Sequence, residues 1–150
     1  MILRTPNYND CEFISECYEN WVETDKGRVF PVDVRNWIKH WRKTSNIEQG
    51  LIGELDGSPV GVVIFSKAES TSTIYEIVVK QLGVGHGKGM WLALRDRLVS
   101  EGVVVADFEA LPGVIADKTL RGDFEKIGES IGSKTGLPLV KGRVTADMRI

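Results

Sequence analysis

Histidine and cysteine are scarce, with two of each in 150 residues. His40, His86, Cys11 and Cys17 are too few for a closed zinc site to be expected. The two cysteines lie six apart in one predicted helix, on different turns and out of easy bridging reach. Both read as buried or half-buried free thiols. The chain also lacks an excess of one charge. Its net value of −2 argues against a bulk-charge grip on nucleic acid and leaves only a local patch for that purpose. No apolar run approaches the roughly 20 residues that span a bilayer, and Met1-Ile2-Leu3-Arg4-Thr5-Pro6 lacks the long apolar stretch of a secretory leader. A cytoplasmic location with no membrane partner is the default expectation. There is no internal repeat, low-complexity tract or dividing linker, so residues 1–150 are expected to form one domain with its own core.

What the chain does have is glycine concentrated in one place, Gly83-Val84-Gly85-His86-Gly87-Lys88-Gly89. Before it, Ile74-Tyr75-Glu76-Ile77-Val78-Val79 reads as a buried strand. After it, Met90-Trp91-Leu92-Ala93-Leu94 reads as the start of an amphipathic helix. Strand, glycine loop and helix together make an anion site, because glycines let backbone N–H groups turn toward one point and a helix start adds a positive dipole end. Two common phosphate motifs fail here. A Walker A loop anchored on Gly87-Lys88 needs glycine at 82 and a hydroxyl at 89, where Leu82 and Gly89 stand. The dinucleotide fingerprint needs a third glycine at 88 or 90, where Lys88 and Met90 stand.

Periodicity orders the rest. Residues 2–5 form a short strand candidate. Asp10 opens a helix as N-cap, with Phe13, Ile14, Cys17, Tyr18 and Trp21 on one face. Pro31 suits a first helical turn, and Val34, Trp37, Ile38 and Trp41 follow at helical spacing. Leu51–Leu55 and Val60–Phe65 are strands joined by the turn Asp56-Gly57-Ser58-Pro59, and Lys67–Ser72 is a polar connector. Thr73–Val79 is the strand before the glycines. Met90–Val99 is a helix stopped by Gly102. Val103–Ala110 is a strand with an apolar start buried on both faces. A fourth helix is expected over Asp117–Ile127, ended by Gly128, with room for a strand near 131–140. Alternation from Arg143 to Ile150 predicts a half-buried last strand, whose exposed edge would suit a second copy or an assembly partner. The antiparallel hairpin excludes a purely parallel doubly wound sheet, so the fold class is α/β around a mixed sheet.

With His86-Gly87-Lys88-Gly89-Met90-Trp91 at the head of the central helix, this order resembles the GNAT-type N-acetyltransferases, whose signature is Gln/Arg-x-x-Gly-x-Gly/Ala. Further segments are similar: Arg4 and Asp10 at the opening strand and helix start, Gly53–Gly61 as the second hairpin, and Phe124-Glu125-Lys126-Ile127-Gly128 for the family's Tyr-Glu-Lys-Leu-Gly. The resemblance spans nearly the whole chain. It implies a mostly antiparallel mixed sheet flanked by helices, with parallel strands splayed at its centre. It implies acetyl-CoA as cofactor, its pyrophosphate held by the loop of Gly85, His86, Gly87, Lys88, Gly89 and Met90, and its pantetheine arm paired with Ile77, Val78 and Val79. It implies an amine acceptor, small molecule or protein. Three positions depart from the pattern. His86 replaces Gln or Arg. Trp91 replaces a small residue, where an indole either crowds the pyrophosphate or points inward. Phe124 replaces a tyrosine that protonates the departing thiolate, a role phenylalanine cannot fill.

An amine must lose a proton before it attacks, so a carboxylate near the thioester is needed. Glu76 stands where the family often keeps its base; the plain alternative is an outward residue in a surface pair. Glu109 on the next strand is the second candidate and Asp107 the third. On the second helix, Arg35, Lys39, His40, Arg42 and Lys43 read as a solvated face and Trp37 and Trp41 as core. Three functions are carried forward: an acyl-CoA-dependent N-acetyltransferase, a binding module on the same scaffold that has lost its chemistry, and a transferase acting on a nucleic-acid base.

Overall fold

The strand β1 (Ile2–Arg4) ends before Pro6, and Asn7 then starts a short 3-10 turn over Tyr8–Asp10. The Asn7 side chain accepts the Asn9 N–H at 2.8 Å, and the Asp10 carboxylate accepts the Asn7 N–H at 2.8 Å. Each satisfies a donor that a helix start leaves open. The computed structural model describes residues 1–19, 29–43, 48–110, 125–131 and 138–144. The turn runs directly into α1 (Cys11–Tyr18), which buries Cys11, Ile14, Cys17 and Tyr18 as the helical spacing predicts. Asp10 precedes α1 without capping it through its side chain, because Arg4 holds its carboxylate instead. The second helix, α2 (Pro31–Lys43), has Pro31 in its first turn and buries Val34, Ile38 and Trp41.

The strands β2 (Glu48–Leu55), β3 (Ser58–Ala68) and β4 (Thr71–Val79) form an antiparallel meander. Asp56 and Gly57, with φ of 52° and 80°, form the two-residue turn that matches the twist of its flanking strands. Helix α3 (His86–Ser100) follows, then β5 (Val105–Ala110), β6 (Glu125–Ile131) and β7 (Pro138–Val144). Among the described residues seven strands make one sheet in the order β1-β2-β3-β4-β5-β7-β6, antiparallel except for the β4–β5 pair. This is the mixed, mostly antiparallel sheet that was expected. Ile52, Val62, Ile64 and Val78 face α1 and α2, while Leu51, Val63, Phe65 and Ile74 face α3, so each sheet face has its own core.

Glycines let aromatic and thioether side chains lie directly on the sheet. Gly53 and Gly61 are cross-strand partners, and Met90 of α3 fills the space above both. The Trp41 ring covers Gly50, and the Phe108 ring covers its partner Gly142. Helix α3 stops at Gly102, φ 86°, where the Gly102 N–H donates to the Val99 carbonyl and the Val103 N–H to the Leu98 carbonyl. That pair of bonds is the Schellman ending that glycine favours.

Several expectations are corrected. Residues 67–72 are not a connector: β3 runs to Ala68, β4 starts at Thr71, and Glu69-Ser70 is a tight turn with Glu69 at φ 56°. Helix α3 begins at His86 rather than Met90, so half of the glycine segment is helical. The stretch from Val103 is not buried on both faces, since Val104 is 44% exposed and the strand begins at Val105. Residues 125–127 are strand, not the end of a helix. The helical spacing of Leu120, Phe124 and Ile127 suggests a helix up to Ile127, but pairing with β7 claims the end of that stretch and Ile127 becomes the extra residue of a bulge. The last described strand, β7, starts earlier than expected, at Pro138, and shares residues 143–144 with the expected strand. Trp21, Phe124 and residues 145–150 lie outside the described residues.

Candidate active site

The strongest local feature is the head of α3. Gly83 and Gly85 sit at φ of 78° and 83°, the left-handed region that a side chain would strain. Gly85 is the N-cap and has no side chain to offer the helix. The Gly89 N–H finds the Gly85 carbonyl at 3.1 Å. The N–H groups of His86, Gly87 and Lys88 precede it, where a helix has no internal acceptor. No acidic residue stands in this first turn to take them up. Among the described residues a Cβ added at Gly87 would meet nothing within 4 Å, so none of them blocks the approach to these donors. Lys88 is exposed, and His86 is half-buried with Nδ1 unpaired among the described residues. Together these groups form a positively polarised helix end suited to a phosphate oxygen.

Trp91 does not obstruct it. Its indole is 3% exposed and packs in the α3-side core with Leu94 and Leu98. Of the two orientations left open above, the inward one holds. The Met90 side chain is fully buried over Gly53 and Gly61 and anchors the helix head.

The second feature is the parting of β4 and β5. They pair only from Thr71 and Val105 to Ile74 and Phe108. From Tyr75 to Val79, β4 keeps β3 as its partner on one side and, among the described residues, opens on the other. The Lys80 N–H donates to the Val60 carbonyl at 3.1 Å, which sets the alternation of the ladder. Val78 and Glu76 therefore turn their backbone groups to β3, while those of Ile77 and Val79 point into the opening. Of the three residues expected to pair with a pantetheine arm, Val78 is committed to the sheet, and its side chain is buried against α1 and α2.

A bulge re-aims the carboxylate. Ile64 pairs with Glu76 and Phe65 with Ile74, so Tyr75 is the extra residue. Ile74 faces α3, and after the bulge Glu76 and Val78 face α1 and α2. Glu76 is half-buried, and the buried Tyr18 hydroxyl donates to its Oε2. Burial holds the Tyr18 phenol well above its ordinary pKa, and the Glu76 carboxylate adds to the shift. Glu76 is thus no outward residue of a surface pair. Asp107 lies opposite Arg143, which grips it at 2.7 and 3.1 Å. Glu109 lies on β5 in register with Lys141.

Sequence reasoning missed Tyr18, which reads as one more apolar position of α1, and the Tyr75 bulge. On α2, Trp41 is buried and Trp37 half-buried, as expected of core residues, and Arg35 and Arg42 flank the Tyr8 ring at 4.2 and 4.5 Å. A depression of about 490 Å³ between Tyr8, Cys11, Glu12, Pro31 and Arg35 lies at the opposite end of α1 from Tyr18, away from the opening. Among the described residues no cluster could hold a metal ion, and no helix is long and apolar enough to cross a membrane.

A seven-stranded mixed sheet with a parted parallel pair and a glycine-led central helix is the GNAT acetyltransferase fold, and this chain has it. The ribosomal-protein-alanine N-acetyltransferase from Brucella melitensis superposes with a TM-score of 0.72 at 19% identity, over 97% of this chain and 99% of that one. The yncA protein from Salmonella typhimurium, solved with its cofactor acetyl-CoA, gives 0.72 at 19% identity over 100% and 96%. The aminoglycoside acetyltransferase AAC(6')-Ib, in complex with coenzyme A and kanamycin, gives 0.72 at 19% identity over 97% and 95%. No protein-family profile and no curated protein sequence matches the chain.

Proposed function

We propose that this protein is an acyl-CoA-dependent N-acetyltransferase that moves an acetyl group to a primary amine. One observation carries the reading: two sets of backbone groups without a partner inside their own element meet where β4 runs into α3. The Ile77 and Val79 groups face the opening, and the His86, Gly87 and Lys88 N–H groups face the helix head. A molecule with a diphosphate at one end and an amide-bearing arm at the other suits both sets at once. Solved proteins of the same fold hold acetyl-CoA or coenzyme A.

Acetyl-CoA supplies an activated acyl thioester. The α3 head binds the diphosphate through its N–H groups and its dipole, with Lys88 adding charge at the rim. Ile77 and Val79 pair with the pantetheine arm as a missing strand would. An N–H at the β4 opening polarises the thioester carbonyl. Glu76, turned to the α1/α2 face by the bulge, takes the proton that the attacking amine must lose. Asp107 is held by Arg143, and Glu109 is the second carboxylate, on the strand across the opening. Phe124 donates no proton, so the departing thiolate takes one from water or from another residue.

Calorimetric titration with acetyl-CoA tests this reading. Gly87→Glu folds as the parent does, because its Cβ meets open space, but it sets a carboxylate against the diphosphate. The parent is expected to bind in the micromolar range and the variant at least about tenfold more weakly, a loss of about 1.4 kcal/mol. Equal affinities, or no binding by the parent at millimolar acetyl-CoA, contradict it.

A further inference from the structure

Glu76 is held from outside its own strand. Tyr18, the last residue of α1, is 1% exposed, and its hydroxyl donates to Oε2 of Glu76. Trp37 of α2 meets the Tyr18 ring edge-on, with centroids 5.4 Å apart and planes at 68°. Phenylalanine would fill the same space without a hydroxyl to satisfy. Packing therefore explains the ring but not the oxygen, since a buried hydroxyl needs a partner and costs stability without one. The partner it has is the carboxylate that the Tyr75 bulge turns to this face.

We propose that Tyr18 is a positioning residue for Glu76, fixing the carboxylate beside the β4 opening through its hydroxyl and tying the end of α1 to the bulge. The inference rests on the reading of Glu76 as the group that takes the amine's proton, and deepens it. A glutamate has several rotamers, and an unheld carboxylate would spend much of its time out of reach of an incoming amine. The hydroxyl stays protonated, because burial and the surrounding acids disfavour the phenolate. Among the described residues, Cys17 on α1 and Glu48 on β2 also act on Tyr18. Glu16 is taken up by Lys80 at 2.7 Å, and His40 of α2 stands 3.9 Å from Glu48.

Carboxyl-labelled NMR and a double-mutant cycle test the proposal. The Glu76 signal is identified by its loss in Glu76→Gln, and its titration is followed in the full chain and in Tyr18→Phe. Losing the donor is expected to move the Glu76 titration to higher pH by about half a unit or more, because the bond favours the ionised form; the other glutamates stay where they were. With acetyl-CoA and the probe acceptors kanamycin and an alanine-ended peptide, Tyr18→Phe lowers kcat about tenfold and leaves KM for acetyl-CoA unchanged. In the Glu76→Gln background it lowers the rate no further, as expected of a residue acting through Glu76. An unmoved titration, or a full additional loss in the double variant, overturns the proposal. If Glu76→Gln keeps the parent's rate, the proton-acceptor reading fails, a result distinct from the titration, which reports the Tyr18 contact directly.

Discussion

Arg4 shows how one residue joins three parts of the chain. Its guanidinium grips both oxygens of Asp10 at 2.8 Å and reaches Glu54 at 2.5 Å, tying β1 to the start of α1 and to β2. The arginine bond and the Asn7 N–H hold the Asp10 carboxyl below its ordinary range, against the opposing effect of burial. A carboxylate held this way stabilises the fold at any pH above its unfolded value of about 3.9, and the contribution fades as pH falls through the lower folded value. Asp10→Asn is therefore expected to cost about 2 kcal/mol at pH 7, the range for hydrogen bonds to charged groups, and to flatten the acid limb of the stability curve. Urea unfolding between about pH 7 and 2.5 measures both; a variant as stable as the parent, with the same acid slope, contradicts the role. Arg4 and Asp10 were legible in the sequence as marks of the opening strand and helix, but their pairing was not, because six positions of separation do not say that a turn folds back. The burial of both cysteines was legible, and Cys17 is pushed up to about 12 by that burial, an inert thiol.

At the level of elements, α3 is placed by what its neighbours lack. A Cβ on Gly61 would come within 2.6 Å of both the Met90 sulfur and the Val78 carbonyl oxygen. The thioether can swing aside, but the backbone oxygen cannot. Gly61→Val is expected to destabilise the fold by about 1–3 kcal/mol, the range for overpacking, and to weaken acetyl-CoA binding by lifting the helix head. Urea unfolding with a parallel acetyl-CoA titration checks both, and unchanged stability with unchanged affinity contradicts the account. The hairpin turn at Asp56-Gly57, the amphipathic α1 and α2, and the stop at Gly102 were readable because each is set by local chemistry. The start of α3 was misread because glycines in sequence signal a loop, while here Gly87 and Gly89 lie in the first helical turn. The Tyr75 bulge was unreadable because one extra residue changes which face every later side chain meets, and the choice belongs to the partner strand. Residues 125–127 were misread for the same reason: Ile127 continues the helical spacing of Leu120 and Phe124 until β7 supplies a partner strand.

At the scale of the whole molecule, the described sheet divides two cores and parts between β4 and β5. Helices α1 and α2 cover one face, α3 covers the other, and β5 leaves β4 after Ile74. The carboxylate approaches that opening from the α1/α2 face, and the helix head stands at the end of the same strand. The order of elements made this architecture legible, since a meander, a glycine-led helix and a returning strand follow one another along the chain. The extent of the parting was not, since it depends on how far two strands distant in sequence stay in register. Residue-resolved amide exchange, with and without acetyl-CoA, tests the central claim most directly. The account predicts slowed exchange at Ile77, Val79, His86, Gly87 and Lys88, with Val78 unchanged because its N–H is already in the ladder. Unaltered exchange at all five amides under saturating acetyl-CoA, or protection confined to the depression between α1 and α2, would contradict it.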